Sequence, residues 1–406
     1  MLFPYFNVLD PTQSDNGDFA DIVMMAQAGN TIHQALGILL GIVGIGLLFN
    51  YGRHLRVRGA VGILLIGYIS WITLSITWSD ASYVSVRREG ELILLLIFCA
   101  GCAAALTERG IARFVIGTAL LNILCAGLQE IARGTFNPFA AGSRFSGTVS
   151  PNIQGASLSL ALLLICWFAW HSRGARRIGW YSTAAVVGAF IVMTGSRTSW
   201  IGLTVAIAVS LILTLIRMSG TRRWEVIAAL ILLGIVASLL AYVVHPESSR
   251  IAALAGTLRT ERDVGEVTDL TGRDQIWDVC AQYATERPLT GYGYGAFWTR
   301  SRLDEVADEL KWPAAHAHSA YLDVFLASGV PGTILFVLLL VATLFVCLKR
   351  YFSGQDIYVA WAALLVFTII NGITESIIVL PTFPAFVLCL LWMKLSLQSV
   401  HSPIRA

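Results

Sequence analysis

The stretch Pro331–Arg350, PGTILFVLLLVATLFVCLKR, decides the fold of this chain. Its first 18 residues carry no charge, and its last two are a lysine and an arginine. A helix of about 20 predominantly apolar residues crosses the hydrocarbon core of a bilayer. Basic residues that directly follow a membrane span favour the cytoplasmic side. The stretch therefore predicts a membrane-spanning helix with its C-terminal end in the cytoplasm.

The composition of the whole chain agrees with this prediction. Of the 406 residues, 56% are hydrophobic and 13% are charged. Soluble proteins carry about 25% charged residues, so this chain has too few to cover a surface that faces water. The formal net charge of +3 is small, and we expect no nucleic-acid partner. We expect a polytopic protein surrounded by membrane lipids.

Eleven apolar runs have roughly the length of a membrane-spanning helix. They are 31–50, 60–79, 91–106, 111–131, 153–171, 178–196, 199–217, 224–244, 331–348, 357–374 and 378–396. Residues near the N-terminus, or 318–330, would supply a twelfth. The pattern predicts an all-α integral membrane fold with about 11–12 spans. It divides into N-terminal spans (1–244), a loop region with short helices (245–317) and C-terminal spans (318–406).

Lysine and arginine gather in alternate loops, which assigns those loops to the cytoplasm. These residues are Arg53, Arg56, Arg58, Arg109, Arg113, Arg173, Arg176, Arg177, Arg217, Arg222, Arg223, Lys349 and Arg350. The opposite side then receives 80–90, 132–152, 245–317, the turn at Arg197 and the loop around Glu375. The long loop region is therefore predicted to face away from the cytoplasm.

Five arginines fall on that opposite side, where positive charge is disfavoured. They are Arg87, Arg88, Arg144, Arg197 and Arg273. Arg197 lies between two spans with almost no loop, where an arginine usually has a partner, and its planar guanidinium suits a phosphate. The alternative is a side chain that reaches the lipid headgroups. For Arg273 the alternative is a surface ion pair with Asp274.

Two histidines, His316 and His318, lie in KWPAAHAHSAYLDVF, where a polar segment becomes apolar. Histidine has an ordinary pKa of about 6.5 and acts as a general base near neutral pH. On a helix the two rings would point about 200° apart, so we expect them to diverge and hold no metal. His316 is then expected to line the entrance of the site or to orient a neighbour, and a structural role for His318 stays open as the alternative.

Four blocks in this order resemble the O-antigen ligase and polymerase superfamily. The blocks are SRFSGTVSPNIQGA, TGSRTSWIGL, GRDQIWDVCAQYATERPLTGYGYGAFW and HAHSAYLDVFLASGVPGTILF. The resemblance covers about residues 140–350. It implies an all-helical glycosyltransferase of the bacterial inner membrane whose active site faces the periplasm.

The resemblance also implies the reaction. An O-antigen ligase transfers O-antigen polysaccharide from undecaprenyl pyrophosphate to lipid A–core oligosaccharide in lipopolysaccharide biosynthesis. The moderate loop region, and the lack of a large extra C-terminal domain, favour ligase over O-antigen polymerase. A lipid-linked glycan transporter is the distant alternative. Transporters bind substrate near the midplane of the membrane, whereas the ionisable residues of this chain gather at its outer face. The chain has no clear D-x-D pair on the outer side, so we expect arginines rather than a metal or another cofactor.

The residue pattern carries the roles over to this chain. HSAYL matches the family's His-Asn-x-Tyr-Leu at His318, Tyr321 and Leu322, whereas Ser319 replaces the asparagine. The resemblance makes His318 the catalytic base of an inverting transfer. It assigns the donor pyrophosphate to Arg197 and Arg273, and less directly to Arg144. Expected supporting residues are His316, Tyr321, Glu375 and Asp274, and expected sugar contacts are Tyr292, Tyr294 and Trp298.

Overall fold

The structure, a computed structural model, describes residues 31–138, 143–147, 149–218, 220, 223–224, 226–227, 234, 272–312, 314–379 and 381–399. Within them, twelve α-helices and one short 3-10 helix account for nearly all regular structure. The helices are α1 (Thr31–Tyr51), α2 (Gly59–Ser75), α3 (Ser82–Ala105), α4 (Glu108–Arg133), α5 (Pro151–His171), α6 (Gly174–Thr194), α7 (Arg197–Arg217), α8 (Arg273–Glu286), α9 (Arg300–Leu310), α10 (Ala320–Phe352), α11 (Tyr358–Thr374) and α12 (Phe383–Ser396). The all-α polytopic fold is confirmed.

Ten of the eleven predicted apolar runs coincide with helices, and the run 224–244 lies almost wholly outside the described residues. Among the described residues, seven helices are long and apolar enough to cross a membrane. The shorter α11 and α12 are apolar as well. Helix α12 begins at Phe383, five residues after the predicted start, where the side chain of Thr382 accepts from the Ala385 N–H and Pro384 occupies the first turn.

Helix α3 is longer than the apolar run that predicts it. The run 91–106 is short for a membrane span and can extend at either end, and the helix begins at Ser82, within the segment 80–90 that was assigned to the outer side. Arg87 Nε lies 3.5 Å from Glu91 Oε1, one helical turn away. Opposite charges at this spacing stabilise a helix, so the charges extend the apolar run instead of ending it. On the apolar part of α3, Gly101 allows the backbone of Gly44 in α1 to approach closely.

Helix α10 is interrupted at Gly329, which has φ 63° and ψ −168°. The loop before α9 packs into this interruption. Tyr292 N–H donates to Leu326 O at 2.7 Å, and Val330 N–H donates to Pro288 O at 2.8 Å. A Cβ atom on Gly291 would lie 2.6 Å from Ser328 N. Only glycine permits this approach of two backbones, so residues 320–328 form a short helical piece beside the loop.

The helices α8 and α9 pack over that piece through an apolar core. Its buried residues are Ile276, Val279, Cys280, Tyr292, Phe297, Val306, Leu310, Ala314, Ala317 and Leu326. The core includes Ala317, the residue between the two histidines. The expected short helices within 272–317 are thus present, and they fix the backbone of the histidine segment.

The chain divides into two compact units that interleave along the sequence. The first unit comprises Met1–Arg113, Arg273–Val346 and Gly372–Ala406. The second comprises Phe114–Gly272 and Cys347–Asn371. The first also contains a feature that the sequence analysis missed. The strands β1 (Leu55–Val57) and β2 (Leu397–Ser399) pair antiparallel, with Leu55 opposite Ser399.

Candidate active site

His316 and His318 lie in a bent segment, residues 314–319, and not in a helix. His318 has a left-handed backbone with φ 48°. This conformation is rare for a residue with a side chain. The rings of His316 and His318 lie 4.1 Å apart between centroids, tilted by 59°. The expectation of diverging rings is therefore wrong, because it assumed helical geometry. His318 N–H donates to His316 Nδ1 at 3.3 Å, so His316 supports the turn that presents His318.

Arg273 and Glu375 form a buried ion pair beside the histidines. Arg273 Nη2 lies 2.5 Å from Glu375 Oε1, and the two side chains are only 14% and 5% exposed. The second oxygen, Glu375 Oε2, lies 4.0 Å from His318 Nδ1. Asp274 is exposed, and Arg273 finds its partner in Glu375 instead. Glu375, an expected supporting residue, thus pairs with an arginine and faces His318.

Both histidines are held in the neutral form. Burial lowers the pKa of His318 to about 2, and the neighbouring His316 and Arg273 act in the same direction. Burial followed by Arg273 lowers the pKa of His316 to about 4. Within the described part of the chain, His318 Nδ1 is buried without a hydrogen-bond partner. A neutral imidazole at this position retains a lone pair that can accept a proton.

Asp323 completes the group, and the sequence analysis missed it. Its carboxylate accepts hydrogen bonds from Ala317 N–H, the Trp298 indole and the Ser376 hydroxyl. An acidic residue within the apolar run YLDVFL was the available signal, because ionisable residues in such runs are usually functional. We refer to Arg273, His316, His318, Asp323 and Glu375, all in the first unit, as the histidine cluster.

A cavity of about 190 Å³ adjoins this cluster within the first unit. Its polar lining comes from Tyr68, Arg88, Glu91, Tyr294, Trp298, His316 and Asp323, and the rest of the lining is mainly apolar. Two of the predicted sugar contacts, Tyr294 and Trp298, therefore lie at a cavity. The sequence analysis assigned no site role to Arg88, which lines it too.

The predicted sugar contact Tyr292 is built into the loop. It is 1% exposed, and its hydroxyl donates to Glu286 Oε2 at 2.7 Å. The guanidinium carbon of Arg302 lies 4.2 Å from the ring centroid. The ring of Tyr321 is partly exposed and lies 6.4 Å from that of Phe336, edge to face. Contact of either tyrosine with substrate stays a prediction.

The other two predicted arginines lie in the second unit. Arg144 Nε donates to Thr194 O, and its Nη2 donates to Asn152 Oδ1, both at 2.8 Å. Gly195 ends α6 with φ 60°, and the side chain of Ser196 caps α7 by accepting from Ser199 N–H at 3.4 Å. We refer to Arg144, Thr194, Gly195, Ser196 and Arg197 as the arginine turn.

The loop that carries Arg144 and the start of α7 both shape the arginine turn. The loop that carries Arg144 is itself fixed, since Glu130 Oε1 accepts from Ser146 N–H at 2.9 Å and Gly147 N–H at 2.7 Å. Arg197 is exposed in the first turn of α7. Its positive charge is therefore added to the positive N-terminal end of the dipole of that helix, where anions are favoured.

Comparison with known proteins finds similarity to one family. Residues 182–337 match the sequence profile of the family described as O-antigen ligase. The chain is 26% identical to the O-antigen ligase of Pseudomonas aeruginosa PAO1 over 345 residues, 82% of this chain and 76% of that protein. It is 25% identical to the exopolysaccharide production protein ExoQ of Rhizobium meliloti strain 1021 over 322 residues, 76% of this chain and 68% of that protein. The matched profile and both relatives support the O-antigen ligase superfamily for this chain.

These similarities, together with the long apolar helices, support a multi-pass membrane enzyme of polysaccharide or lipopolysaccharide assembly. The part that matches the O-antigen ligase profile includes Arg197, Arg273 and His318. Arg144 and Glu375 lie outside it. Glu375 nevertheless contacts the matched residues Arg273 and His318. Arg144 bonds Thr194, in the turn that precedes the matched residue Arg197.

Proposed function

We propose that this protein is an O-antigen ligase of the bacterial inner membrane with its active site facing the periplasm. It transfers O-antigen polysaccharide from undecaprenyl pyrophosphate to lipid A–core oligosaccharide. The observation that carries the proposal is the position of His318 beside the buried Arg273–Glu375 pair, in a chain of this superfamily. A neutral base next to a fixed cation suits transfer from a pyrophosphate donor.

His318 acts as the general base. Its Nδ1 faces the Glu375 carboxylate, which leaves Nε2 for the acceptor. In the reaction a sugar hydroxyl of the acceptor attacks the anomeric carbon of the donor glycan. The bond from that carbon to the pyrophosphate oxygen breaks, the electron pair leaves with the pyrophosphate, and the hydroxyl proton passes to His318. A single displacement of this kind inverts the anomeric centre.

The low pKa of His318 has a consequence for this step. Burial and the nearby Arg273 keep the imidazole neutral in the free protein, so the base form is available. The same factors weaken it as a proton acceptor. An incoming pyrophosphate brings negative charge that compensates Arg273. The proton affinity of His318 then rises when the donor is bound, which couples base strength to donor occupancy.

The arginines supply the positive field for the leaving group, and no cofactor is proposed. Arg273 uses one terminal nitrogen on Glu375, and a guanidinium has five N–H donors in all. Arg197 keeps the pyrophosphate-binding role that the family resemblance implies, and Arg144 contributes by fixing the arginine turn. Preorganised cations stabilise developing charge strongly in sites of low dielectric constant.

Complementation of a deletion strain tests the function. We expect wild-type protein and the control His54→Ala, which changes an exposed residue, to restore the lipopolysaccharide ladder. His318→Ala should abolish it, and purified His318→Ala should transfer about 10²–10⁴-fold more slowly, the usual contribution of a general base. Near wild-type transfer by His318→Ala would contradict the assignment of the base. Transfer by purified protein without an ion gradient excludes the transporter alternative.

O-antigen polymerase is the second candidate, favoured by the similarity to a protein named for exopolysaccharide production. The same ladder separates the two functions. Loss of all O-antigen from the lipid A–core in the deletion strain indicates a ligase. Retention of a single repeat unit on the core indicates a polymerase, because attachment then still occurs while chain extension does not.

A further inference from the structure

We propose that Asp323 is a positioning residue that holds His318 in place for the transfer reaction. The proposal rests on the role of His318 as the base. Asp323 does not act on substrate in this scheme. It acts through the peptide group of Ala317, the residue that directly precedes His318.

The carboxylate of Asp323 is the centre of a dense set of hydrogen bonds. Ala317 N–H donates to Oδ1 at 3.1 Å and to Oδ2 at 3.3 Å. Trp298 Nε1 donates to Oδ1 at 3.2 Å, and the Ser376 hydroxyl donates to Oδ2. Three donors from separate segments therefore converge on one carboxyl group, and together they fix its position.

The carbonyl oxygen and the side chain of Ala317 are fixed as well. Ala317 O accepts a hydrogen bond from Trp277 Nε1 at 3.0 Å. The Ala317 side chain is 0% exposed, within the core beneath α8 and α9. Ala317 is thus bonded at its N–H and at its carbonyl oxygen, and packed at its methyl group. The residue that precedes the base has little freedom to move.

We refer to the hydrogen bonds of Asp323 and Trp277 to the Ala317 backbone as the Ala317 clamp. The backbone conformation of His318 explains why this constraint is needed. Its φ of 48° lies in the left-handed region, which residues with a Cβ rarely adopt. Strain of this kind persists only where the surroundings over-determine it. The clamp on Ala317 and the bond from His318 N–H to His316 Nδ1 supply that constraint. Without Asp323 the segment can relax toward an ordinary conformation, and the His318 ring then turns away from Glu375.

Steady-state kinetics of purified variants test this inference. Asp323→Ala should lower kcat by about 10²-fold, the effect of a catalytic group displaced by about 1 Å, with the KM for donor changed by less than about threefold. Asp323→Asn keeps one acceptor oxygen for Ala317 N–H, so it should recover most of the lost kcat. The control Asp308→Ala changes an exposed acid on α9 and should leave both constants unchanged.

A double substitution separates positioning from a general loss of structure. If Asp323 acts through His318, then His318→Ala/Asp323→Ala should be no slower than His318→Ala alone, because residues that act as a unit are non-additive. Multiplied losses, or a raised KM with unchanged kcat, would overturn the inference. Normal transfer by His318→Ala would instead overturn the proposed role of His318 as the base, so the two failures are distinguishable.

A second variant keeps the test valid if Asp323→Ala does not fold. Trp277→Phe retains an aromatic ring against the core but removes the N–H that bonds Ala317 O. We expect a fall in kcat of about tenfold, from looser positioning of the base, again without a change in KM. An unchanged kcat in a folded Trp277→Phe protein would contradict the clamp.

Discussion

The histidine cluster and the arginine turn hold their arginines by different means. In the histidine cluster Arg273 pairs with the carboxylate of Glu375, and both side chains are largely buried. In the arginine turn Arg144 donates to a carbonyl oxygen and an amide oxygen. These two bonds fix the position of Arg144. The comparison teaches that a buried ion pair places Arg273, whereas hydrogen bonds to neutral oxygens place Arg144 in a turn shaped by its backbone.

The largest predicted effect follows from breaking the buried pair. Arg273→Ala leaves the Glu375 carboxylate buried and without this partner, and Glu375→Ala does the same to Arg273. Each change should destabilise the protein by about 3–5 kcal/mol, because an isolated buried charge is poorly solvated. Unfolding of the purified variants in detergent measures this loss.

A matched double variant sharpens that result. Arg273→Met/Glu375→Leu removes both charges and keeps apolar volume, so it should recover stability to within about 1 kcal/mol of wild type. Transfer activity should stay lost, because Arg273 is also proposed to bind pyrophosphate. A double variant that remains as unstable as either single one would show that charge balance is not what holds the cluster together.

The second prediction concerns pH and the base. The lowered pKa of His318, about 2, keeps the imidazole unprotonated as the pH falls. At pH 5 a histidine of ordinary pKa would be about 97% protonated and would lose about 30-fold in activity. We therefore expect kcat/KM, which reports the free enzyme, to show no acid limb near pH 6.5.

Arg273→Gln provides the control for this pH prediction. It removes one of the causes that lower the pKa of His318, and it releases the Glu375 carboxylate to act in the opposite direction. The acid limb of its residual activity should therefore move to higher pH than in wild type. A limb near pH 6.5 in the wild-type protein would contradict the neutral, buried state of His318.

The fold was largely predictable because apolar segments of membrane-spanning length dominate it. Apolar length alone located ten helices, including the helix that follows Pro331. The start of α3 was not predictable from apolarity, since Arg87 and Glu91 support the helix by a specific contact. The pairing of β1 with β2 was missed because the two strands are three residues each and lie at distant points of the chain.

The candidate site was predictable in its residue types but not in its contacts. Arg273 and Glu375 are 102 residues apart, and nothing in the sequence joins them. The approach of the His316 and His318 rings depends on a left-handed residue that helical spacing cannot anticipate. Asp323 was overlooked because its partners, a backbone N–H and an indole among them, carry no sequence signal.

The smallest predicted effect tests the shape of the arginine turn. Gly195 has φ 60°, and a Cβ atom there would lie 3.3 Å from Arg144 Nε. Gly195→Ala should therefore destabilise the protein by about 1–2 kcal/mol, from left-handed strain, and should weaken the Arg144–Thr194 bond. Gly188→Ala is the matched control on the same helix, with no atom within 4 Å of the added Cβ, and should raise stability by about 0.5–1 kcal/mol. Opposite signs for two glycine-to-alanine changes seven residues apart would attribute the loss to the turn itself. Equal effects would show that backbone shape is not what holds Arg144.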